Sequence, residues 1–370
     1  MNLEYKISSQ THNITFCKKN SLQQISNSLE KINSDKNILF IYDGNVNKKI
    51  VNLIVDELRI AGCNLTSMLC KGEKINKNEK FLFNIIDILL KKKFTKKSVI
   101  VSCGGGVIGD VSALASSLYL RGLFYFCIPT TMTAIVDSSI GGKTAINYKG
   151  ITNSVGTYFH PKNVFIIEDI IKTLPQREFL AGIAEVIKCG LIDNNNILSF
   201  LEKNKKEIIK RNFNYLSKLC ELTLKTKIKF FQNDIFEKNE RLFLNFGHTF
   251  AHAIEMAIEN HVKKDVIRHG EAVSLGILCE LFYANKGKSK LYDETKKILS
   301  NFLLPVKLDM ESKKLDFLKL KNNIYKNIFL DKKKIDQYPR YISLKKKGKP
   351  SIKPIKDFDF LNDTILKLFD

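Results

Sequence analysis

Short apolar runs alternate with helically spaced segments through the first half of the chain. Runs rich in β-branched and aromatic residues, bounded by turn-forming residues, occupy positions 37–42, 65–69, 98–102 and 124–128. Between them, apolar side chains recur every three or four residues over 46–61 and 79–92. This alternation predicts a parallel, doubly wound α/β sheet.

The pattern changes after Pro175. Residues 176–300 show helical periodicity almost without interruption, with few glycines or prolines and no convincing strand. A chain of 370 residues is also long for a single core. We therefore predict two domains, an α/β domain over residues 1–178 and a mostly α-helical domain over residues 179–370.

The composition adds one unusual feature, a formal net charge of +22. A basic chain can bind nucleic acid, an anionic membrane or anionic small molecules. The lysines form short clusters, such as residues 91–93 and 345–347, without a basic stripe interleaved with aromatic residues and without a helix-turn-helix or zinc-finger pattern. Specific nucleic-acid binding is therefore not expected.

Other features of the sequence concern the cellular compartment. Asp110 and Arg121 interrupt the most apolar region, residues 99–132, so no membrane span is expected. The first residues lack the profile of a signal peptide. The eight cysteines are scattered without a CxxC pair, which is typical of reduced thiols. These features predict a cytoplasmic protein.

A glycine-rich segment, GGGVIGD from Gly104 to Asp110, directly follows the third predicted strand. Glycines let a backbone approach a pyrophosphate closely, and the N-terminus of the following helix offers free N–H groups. The segment is not the GxGxxG dinucleotide fingerprint. A tight strand-to-helix turn therefore remains the alternative interpretation.

A second polar segment, DSSIGGKT, runs from Asp137 to Thr144. Lys143 could neutralise a phosphate or a carboxylate, and Asp137 could bind a sugar hydroxyl. The alternative is a solvated loop, which fits poorly with the apolar residues Ile135 and Ile140 around it.

Glu185 and Lys188 fall three residues apart in an apolar helical stretch, so both lie on one helical face. A structural ion pair is one interpretation of this spacing. A carboxylate and a lysine in an apolar setting are also what a metal site with an anionic substrate needs.

The histidines provide the sharpest pattern. Arg241, Asn245, His248 and His252 follow one another at steps of four, three and four, which predicts one helical face, and His269 begins an HGEAV string. The chain has only six histidines, and three of them lie in these motifs. A single histidine is more often a packed core residue, but three imidazoles and a carboxylate suit a catalytic zinc. The spacing alone indicates His248 and His252 as paired ligands one turn apart.

Seven strings in one order, between about residues 40 and 335, resemble the 3-dehydroquinate synthase family. They are GGGVIGD at 104–110, YLRG at 119–122, DSSIGGKT at 137–144, KTLP at 172–175, GIAEVIK at 182–188, LNFGHTFAH at 244–252 and HGEAV at 269–273. Each string alone is weak evidence, whereas the ordered set is specific.

The resemblance implies a bound NAD and one divalent metal, usually Zn²⁺, with Co²⁺ as an alternative. It implies Glu185, His248 and His269 as the metal ligands, and it moves His252 from a ligand to a substrate contact that handles protons. The implied NAD contacts are Asp43, Asn45, Glu73, Gly105, Gly106, Val107, Asp110, Thr130, Thr131, Lys143 and Thr173. The implied catalytic residues are Lys143, Lys188, Lys227, Arg241, Asn245 and His252, and the further substrate contacts are Arg121, Asp137, Asn153 and Lys333.

The implied reaction converts 3-deoxy-D-arabino-heptulosonate 7-phosphate to 3-dehydroquinate and phosphate. It proceeds by transient oxidation with NAD, phosphate elimination, re-reduction, ring opening and an intramolecular aldol step. The resemblance also implies a homodimer. The alternatives are a related sugar-phosphate cyclase, a metal-dependent polyol-phosphate dehydrogenase that releases NADH, and a binding protein that has lost its activity.

Two positions depart from the family pattern. The family's GKN triplet reads Ile151-Thr152-Asn153 here, so an expected lysine is Thr152, and Lys149 is a possible replacement. The family's GExxK contact has Asn76 at its last position, with the lysine displaced to Lys77. Because a cationic contact to a phosphate or ribose contributes about 1–3 kcal/mol, we expect weakened NAD binding.

Overall fold

A computed structural model describes residues 1–18, 21–32, 35–193, 196–262, 266–310, 315–330 and 334–370. Contacts divide the chain into two compact units. The first comprises Met1–Pro175 with Arg211–Ser217, and the second comprises Gln176–Lys210 with Lys218–Asp370.

The first unit is an α/β domain. Its elements are β1 (Asn2–Ile7), β2 (Gln10–Cys17), α1 (Gln23–Glu30), β3 (Asn37–Asp43), α2 (Lys48–Ile60), β4 (Asn64–Cys70), α3 (Glu79–Lys91), β5 (Val99–Gly104), α4 (Gly106–Leu118), β6 (Phe124–Pro129), β7 (Lys143–Tyr148), β8 (Ile151–Tyr158), β9 (Asn163–Ile167) and α5 (Glu168–Thr173). Seven strands form a sheet in the order β1-β2-β9-β6-β5-β3-β4, and β7 and β8 form a separate antiparallel hairpin.

The predicted α/β class is confirmed, and the four predicted strands correspond to β3, β4, β5 and β6. The sheet is parallel except for β1, which pairs antiparallel with β2. Strands at the centre of such a sheet are covered on both faces and therefore form continuous apolar runs, as in the fully buried β5. The aromatic rings of Phe40, Phe126 and Phe165 pack in the core beneath α1 and α2.

The second unit is mostly helical, as predicted. Its elements are α6 (Gln176–Asp193), α7 (Ile197–Lys203), α8 (Lys205–Ile209), α9 (Phe213–Phe231), whose first residues belong to the first unit, α10 (His248–Val262), α11 (His269–Ala284), α12 (Lys290–Asn301), α13 (Phe317–Leu330), β10 (Lys334–Ile335), β11 (Tyr338–Leu344), β12 (Pro350–Pro354) and α14 (Phe358–Leu366). The antiparallel sheet of β10, β11 and β12 was not predicted. The predicted domain boundary between residues 178 and 179 falls within α6.

Helices α6, α10 and α11 approach one another more closely than side chains normally allow. A Cβ atom at Gly270 would lie 1.7 Å from the carbonyl oxygen of Ala181, and one at Gly276 would lie 2.0 Å from that of Gly247. Both α6 and α11 are buried over nearly their whole length. Two glycines of α11 therefore set its distance from α6 and from the start of α10.

We expect Gly270→Ala to destabilise the protein because its methyl group would collide with backbone rather than with a movable side chain. The expected loss in the free energy of unfolding is about 3 kcal/mol, at the upper end of the range for overpacked cores. Chemical denaturation followed by circular dichroism measures it. Gly109→Ala is the matched control, since its Cβ would meet only the Tyr125 hydroxyl at 3.7 Å. Equal stability of the two variants would contradict the packing argument.

Candidate active site

Three helices bring Glu185, His248 and His269 together in the second unit. One ligand atom from each residue lies within 4.8 Å of the others. Glu185 Oε1 is 3.4 Å from His269 Nε2 and 3.7 Å from His248 Nε2. Ligands about 2.1 Å from a tetrahedral ion are about 3.4 Å apart, so these separations fit one metal ion.

The outer ring nitrogens of both histidines support this arrangement. His248 Nδ1 lies 3.2 Å from the carbonyl oxygen of Phe246, which can only accept a hydrogen bond. His269 Nδ1 lies 3.2 Å from Glu255 Oε2. With protons held on Nδ1, each Nε2 atom keeps its lone pair for a metal, as is usual for histidine ligands with a carboxylate or carbonyl partner.

The electrostatics of the cluster favour a cation. Burial would raise the pKa of Glu185, but the ammonium of Lys188, 2.5 Å from Oε2, and the two imidazoles hold that pKa well below its usual range. Burial, followed by Lys188, lowers the pKa of His248 well below its usual value and keeps the ring neutral. Burial also opposes a charge on His269, yet Glu255 and Glu185 raise its pKa to about 10. The field that favours a proton on His269 equally favours a divalent cation beside it.

Other residues identified from the sequence surround this cluster. The His252 ring centroid is 5.4 Å from that of His248 and 6.1 Å from that of His269. Asn245, His248 and His252 line one surface depression together with Arg340 of β11. An imidazole, an amide and a cation therefore border the cluster of Glu185, His248 and His269.

Arg241 and Lys227 are buried cations of the second unit. The Arg241 side chain donates to the carbonyl oxygen of Ile235 at 2.6 Å and lies over the Phe231 ring. Lys227 is buried in α9, with 6% of its surface exposed. A buried cation binds an anionic group more strongly than an exposed one because water competes less, which makes both residues candidates for contacting an anion.

The predicted single helical face from Arg241 to His252 is wrong. Arg241 and Asn245 lie on a short 3₁₀ helix, Glu240–Asn245, and α10 begins only at His248. Gly247 separates them with a φ of +83°, a conformation that ends regular helix. The four-three-four spacing therefore spans a break in the helix.

The first unit presents a glycine-lined edge. The parallel strands β4, β3, β5 and β6 are neighbours, so their carboxyl ends lie along one edge of the sheet. Asp43 ends β3, Gly104 ends β5, and the N–H of Thr130, just after β6, donates to the Gly104 carbonyl oxygen at 3.0 Å.

The start of α4 at this edge fits a diphosphate. The N-cap residue of α4 is Gly105, which has no side chain to bond the N–H groups of the first turn, and such N–H groups favour an anion. A Cβ atom at Gly105 would lie 3.1 Å from Thr131 Cγ2, and one at Gly106 would lie 3.3 Å from Ser138 Oγ. Glycine at both positions therefore lets Thr131 and Ser138 lie close to this backbone, where a Cβ atom would crowd them.

The polar segment after β6 lies close to this loop. Asp137 is part of a π-helical turn, Ala134–Ser138, a rare form often found at functional sites. Lys143 begins β7 and lines a pocket with Gly105, Asp110 and Ser138. The structure therefore brings the two polar segments together, as two sides of one pocket in the first unit.

Lys77 stands between two of the implied contacts. Its Nζ atom donates to Asp110 Oδ2 and to Asn153 Oδ1, each at 2.6 Å. Its backbone carbonyl accepts from Asn147 N at 2.8 Å, and Asn147 Oδ1 accepts from Asn153 N at 3.0 Å. The alternative replacement, Lys149, instead lies with its Nζ atom 5.6 Å from the centre of the Tyr148 ring. Lys77 thus fastens the tip of the β7–β8 hairpin to α4.

The remaining implied contacts are more dispersed. Val107 lies in the first turn of α4, and the backbone N–H of Asn45 donates to Asp43 Oδ1. Two others are exposed on the surface, Glu73 after β4 and Arg121 after α4. Thr173 ends α5, and its hydroxyl donates to the carbonyl oxygen of Ile170. Lys333 lies outside the described residues.

Comparisons with known proteins agree with this arrangement. A family model described as 3-dehydroquinate synthase N-terminal matches residues 66–181, and one described as 3-dehydroquinate synthase C-terminal matches residues 182–334. The chain is 32% identical to 3-dehydroquinate synthase of Ruminiclostridium cellulolyticum over 372 residues, covering 99% of both chains. It is 34% identical to that of Clostridium tetani over 87% of this chain and 83% of the relative.

The chain belongs to the 3-dehydroquinate synthase family. The family and the function expected from the sequence are thereby confirmed, and the chain is an enzyme.

Solved structures of sugar-phosphate cyclases share the fold. A 2-deoxy-scyllo-inosose synthase complexed with carbaglucose-6-phosphate, NAD⁺ and Co²⁺ superposes with a TM-score of 0.86 at 23% identity, over 99% of each chain. A 2-epi-5-epi-valiolone synthase from Streptomyces hygroscopicus with NAD⁺ and Zn²⁺ bound gives 0.80 at 19% identity over 98% of each chain. A glycerol dehydrogenase from Schizosaccharomyces pombe gives 0.66 at 16% identity, over 98% of this chain and 92% of that one.

Sequence reasoning missed Glu255 and Arg340. Glu255 lies seven residues after His248 and three after His252, so helical spacing already placed it on their face of α10. Arg340 lies in the small sheet, which carries no strong pattern of its own. Only tertiary structure brings it beside His252.

We expect Glu255→Gln to weaken metal binding by about 10- to 100-fold, since removing a charged partner of a histidine ligand typically has this effect. Titration with Co²⁺ against a chelator measures the dissociation constant. Glu259→Gln, one turn further along α10, removes the same charge away from His269 and is expected to bind Co²⁺ normally. An unchanged dissociation constant for Glu255→Gln would show that His269 does not need this partner.

Proposed function

We propose that the chain cyclises 3-deoxy-D-arabino-heptulosonate 7-phosphate to 3-dehydroquinate with release of phosphate, as a carbon–oxygen lyase of the shikimate pathway. The observation that carries the proposal is the buried cluster of Glu185, His248 and His269, beside Lys188, in a chain of this family. We propose Glu185, His248 and His269 as ligands of a divalent metal, Zn²⁺ or Co²⁺. We propose the glycine loop at Gly105 and Gly106 as the site of NAD.

When bound, the metal would polarise substrate hydroxyl oxygens, and NAD would supply reversible hydride transfer. The chain's own residues account for the rest. The substrate carries a carboxylate and a phosphate, and Lys188, Lys227 and Arg241 are cations with 1%, 6% and 2% of their surface exposed. Buried cations bind such groups more strongly than exposed ones because water competes less.

We propose that His252 transfers protons. It lies next to both proposed histidine ligands and, unlike them, is exposed. An imidazole there accepts the proton of the hydroxyl that is oxidised. Asn245 and Arg340 border the same depression and are proposed to orient the substrate. In the first unit, Asp137, Lys143 and Asn153 are proposed as further contacts.

An assay of phosphate release tests the proposal. With the heptulosonate phosphate, Zn²⁺ or Co²⁺ and substoichiometric NAD, we expect one phosphate per 3-dehydroquinate and no net NADH. A chelator should abolish turnover and added metal should restore it. His269→Ala should be inactive, whereas His261→Ala, on α10 but outside the cluster, should retain activity. NADH accumulation without phosphate would instead favour the polyol-phosphate dehydrogenase.

NAD binding depends on Lys77 under this proposal. Lys77→Met removes the ammonium that joins Asp110 to Asn153, and a lost charge-assisted hydrogen bond corresponds to an affinity loss of roughly 10- to 100-fold. Titration of NAD measures the dissociation constant, with Lys80→Met on α3 as a control. Thr152→Lys, which adds the second expected cation, should tighten NAD binding. An unchanged dissociation constant in Lys77→Met would exclude a role for this contact.

We also propose a cytoplasmic homodimer. All eight cysteines are free thiols, as a reducing compartment requires. Every residue of β8 is exposed, and Thr157 of β8 bonds to Ser117 at 3.2 Å, next to the exposed Leu118. Ile151, Val155 and Tyr158 of β8 are exposed apolar side chains, as is Leu118, and exposed apolar side chains grouped in this way are candidates for a subunit interface. Within the described residues, no helix is long and apolar enough to cross a membrane.

A further inference from the structure

Glu280 is a fully buried carboxylate that the proposed reaction does not use. It lies on α11, about three turns beyond His269, with no exposed surface. Its Oε2 atom accepts a hydrogen bond from the backbone N–H of Ile342 at 3.2 Å. The N–H groups of Gly247 and Thr249 also stabilise its charged form.

Gly247 and Thr249 flank His248, the first residue of α10. The first N–H groups of a helix have no partner within the helix and favour a negative charge. Because the residue before α10 is glycine, it has no side chain that could cap them. Glu280 of α11 lies close enough for these N–H groups to favour its charged form, and Gly276, packed on the Gly247 carbonyl, brings α11 to this distance.

The same carboxylate also holds β11. Ile342, its hydrogen-bond donor, lies two residues after Arg340 on this strand. The Thr249 hydroxyl donates to the Arg340 carbonyl oxygen at 2.9 Å, which ties β11 to α10 a second time. Glu280 therefore bonds to the strand that carries Arg340 and lies against the start of the helix that begins with His248.

The burial of Glu280 has an energetic cost. Burial raises the pKa of Glu280 to about 8, although its hydrogen bonds act in the opposite direction. An apolar side chain of similar volume would fill the space without this cost. A packing role alone therefore does not explain a carboxylate here.

We propose that Glu280 is a positioning residue, which fixes the orientation of His248 toward the metal by holding the start of α10 against β11. The inference rests on the proposed metal site.

The test compares the variants Glu280→Leu and Glu280→Gln with a control, Leu299→Ala. Leu299 is a buried apolar residue of α12, so its substitution destabilises the second unit without removing a hydrogen bond to α10 or β11. The first measurement is Co²⁺ affinity and the ligand-field absorption of the Co²⁺ protein. We expect Glu280→Leu to weaken Co²⁺ binding at least tenfold and to shift the absorption bands. Glu280→Gln, which keeps one oxygen acceptor, should lose less, and Leu299→Ala should lose stability but keep its affinity and spectrum.

Hydrogen exchange in the metal-free protein provides a second measurement, which does not depend on the proposed function. The amides of Thr249 and Ile342 should exchange faster in Glu280→Leu than in Leu299→Ala at matched stability. Unchanged Co²⁺ affinity and spectrum in Glu280→Leu would overturn the proposal, as would unchanged exchange at these amides. If the unsubstituted protein binds no Co²⁺ while the exchange results are as expected, the proposed metal site is wrong. The positioning role of Glu280 toward that metal is then wrong as well.

Discussion

The second unit depends on the compensation of one buried charge. Glu185 has 1% of its surface exposed, and a carboxylate taken out of water so completely requires positive charge beside it. Lys188 provides part of that charge from the same helix, and the imidazoles of His248 and His269 close the other side. Removing one partner of such a buried group typically costs about 3–5 kcal/mol. The three helices that carry these residues are therefore coupled through electrostatics as well as through apolar packing.

That compensation works only because the helices can approach one another. Gly270 and Gly276 remove the side chains that would separate α11 from Ala181 and from Gly247. Close backbone contact then brings His269 within 3.4 Å of Glu185 while Glu255 holds the far side of its ring. Helix packing determines the distances between the candidate ligand atoms, and the negative charge of the carboxylates makes the site favour a cation. The site needs both close packing and the carboxylates. Close packing without compensating charges would leave a buried charge unpaired, and the charged groups without close packing would lie too far apart to share one ion.

Much of this could be predicted from the sequence, for identifiable reasons. Buried parallel strands are continuous apolar runs, so β3, β5 and β6 were recognisable, although the equally buried β9 was not predicted. The predicted β4 is largely exposed at the edge of the sheet, and the fully exposed β8 carries no apolar signal. The helix break at Gly247 was hidden because the spacing from Arg241 to His252 still fits a helix. Helical spacing places Glu255 near the histidines once α10 is known. Glu280 could not be found in this way, since its hydrogen-bond partner Ile342 lies on β11 and only the folded chain brings the two together.

In the first unit, two lysines expected from the family's motifs are missing, but the lysine at position 77 lies close to the same region. The family's motifs have lysine where this chain has Thr152 and Asn76, which predicts weaker binding of NAD. The structure places the ammonium of Lys77 within 2.6 Å of both Asp110 and Asn153, although its backbone position differs from either expected one. A flexible four-carbon side chain can deliver the same charge from a neighbouring position, whereas a glycine at a close backbone approach has no substitute. Departures at lysine positions are therefore weaker evidence for lost function than a departure at Gly105 or Gly106 would be.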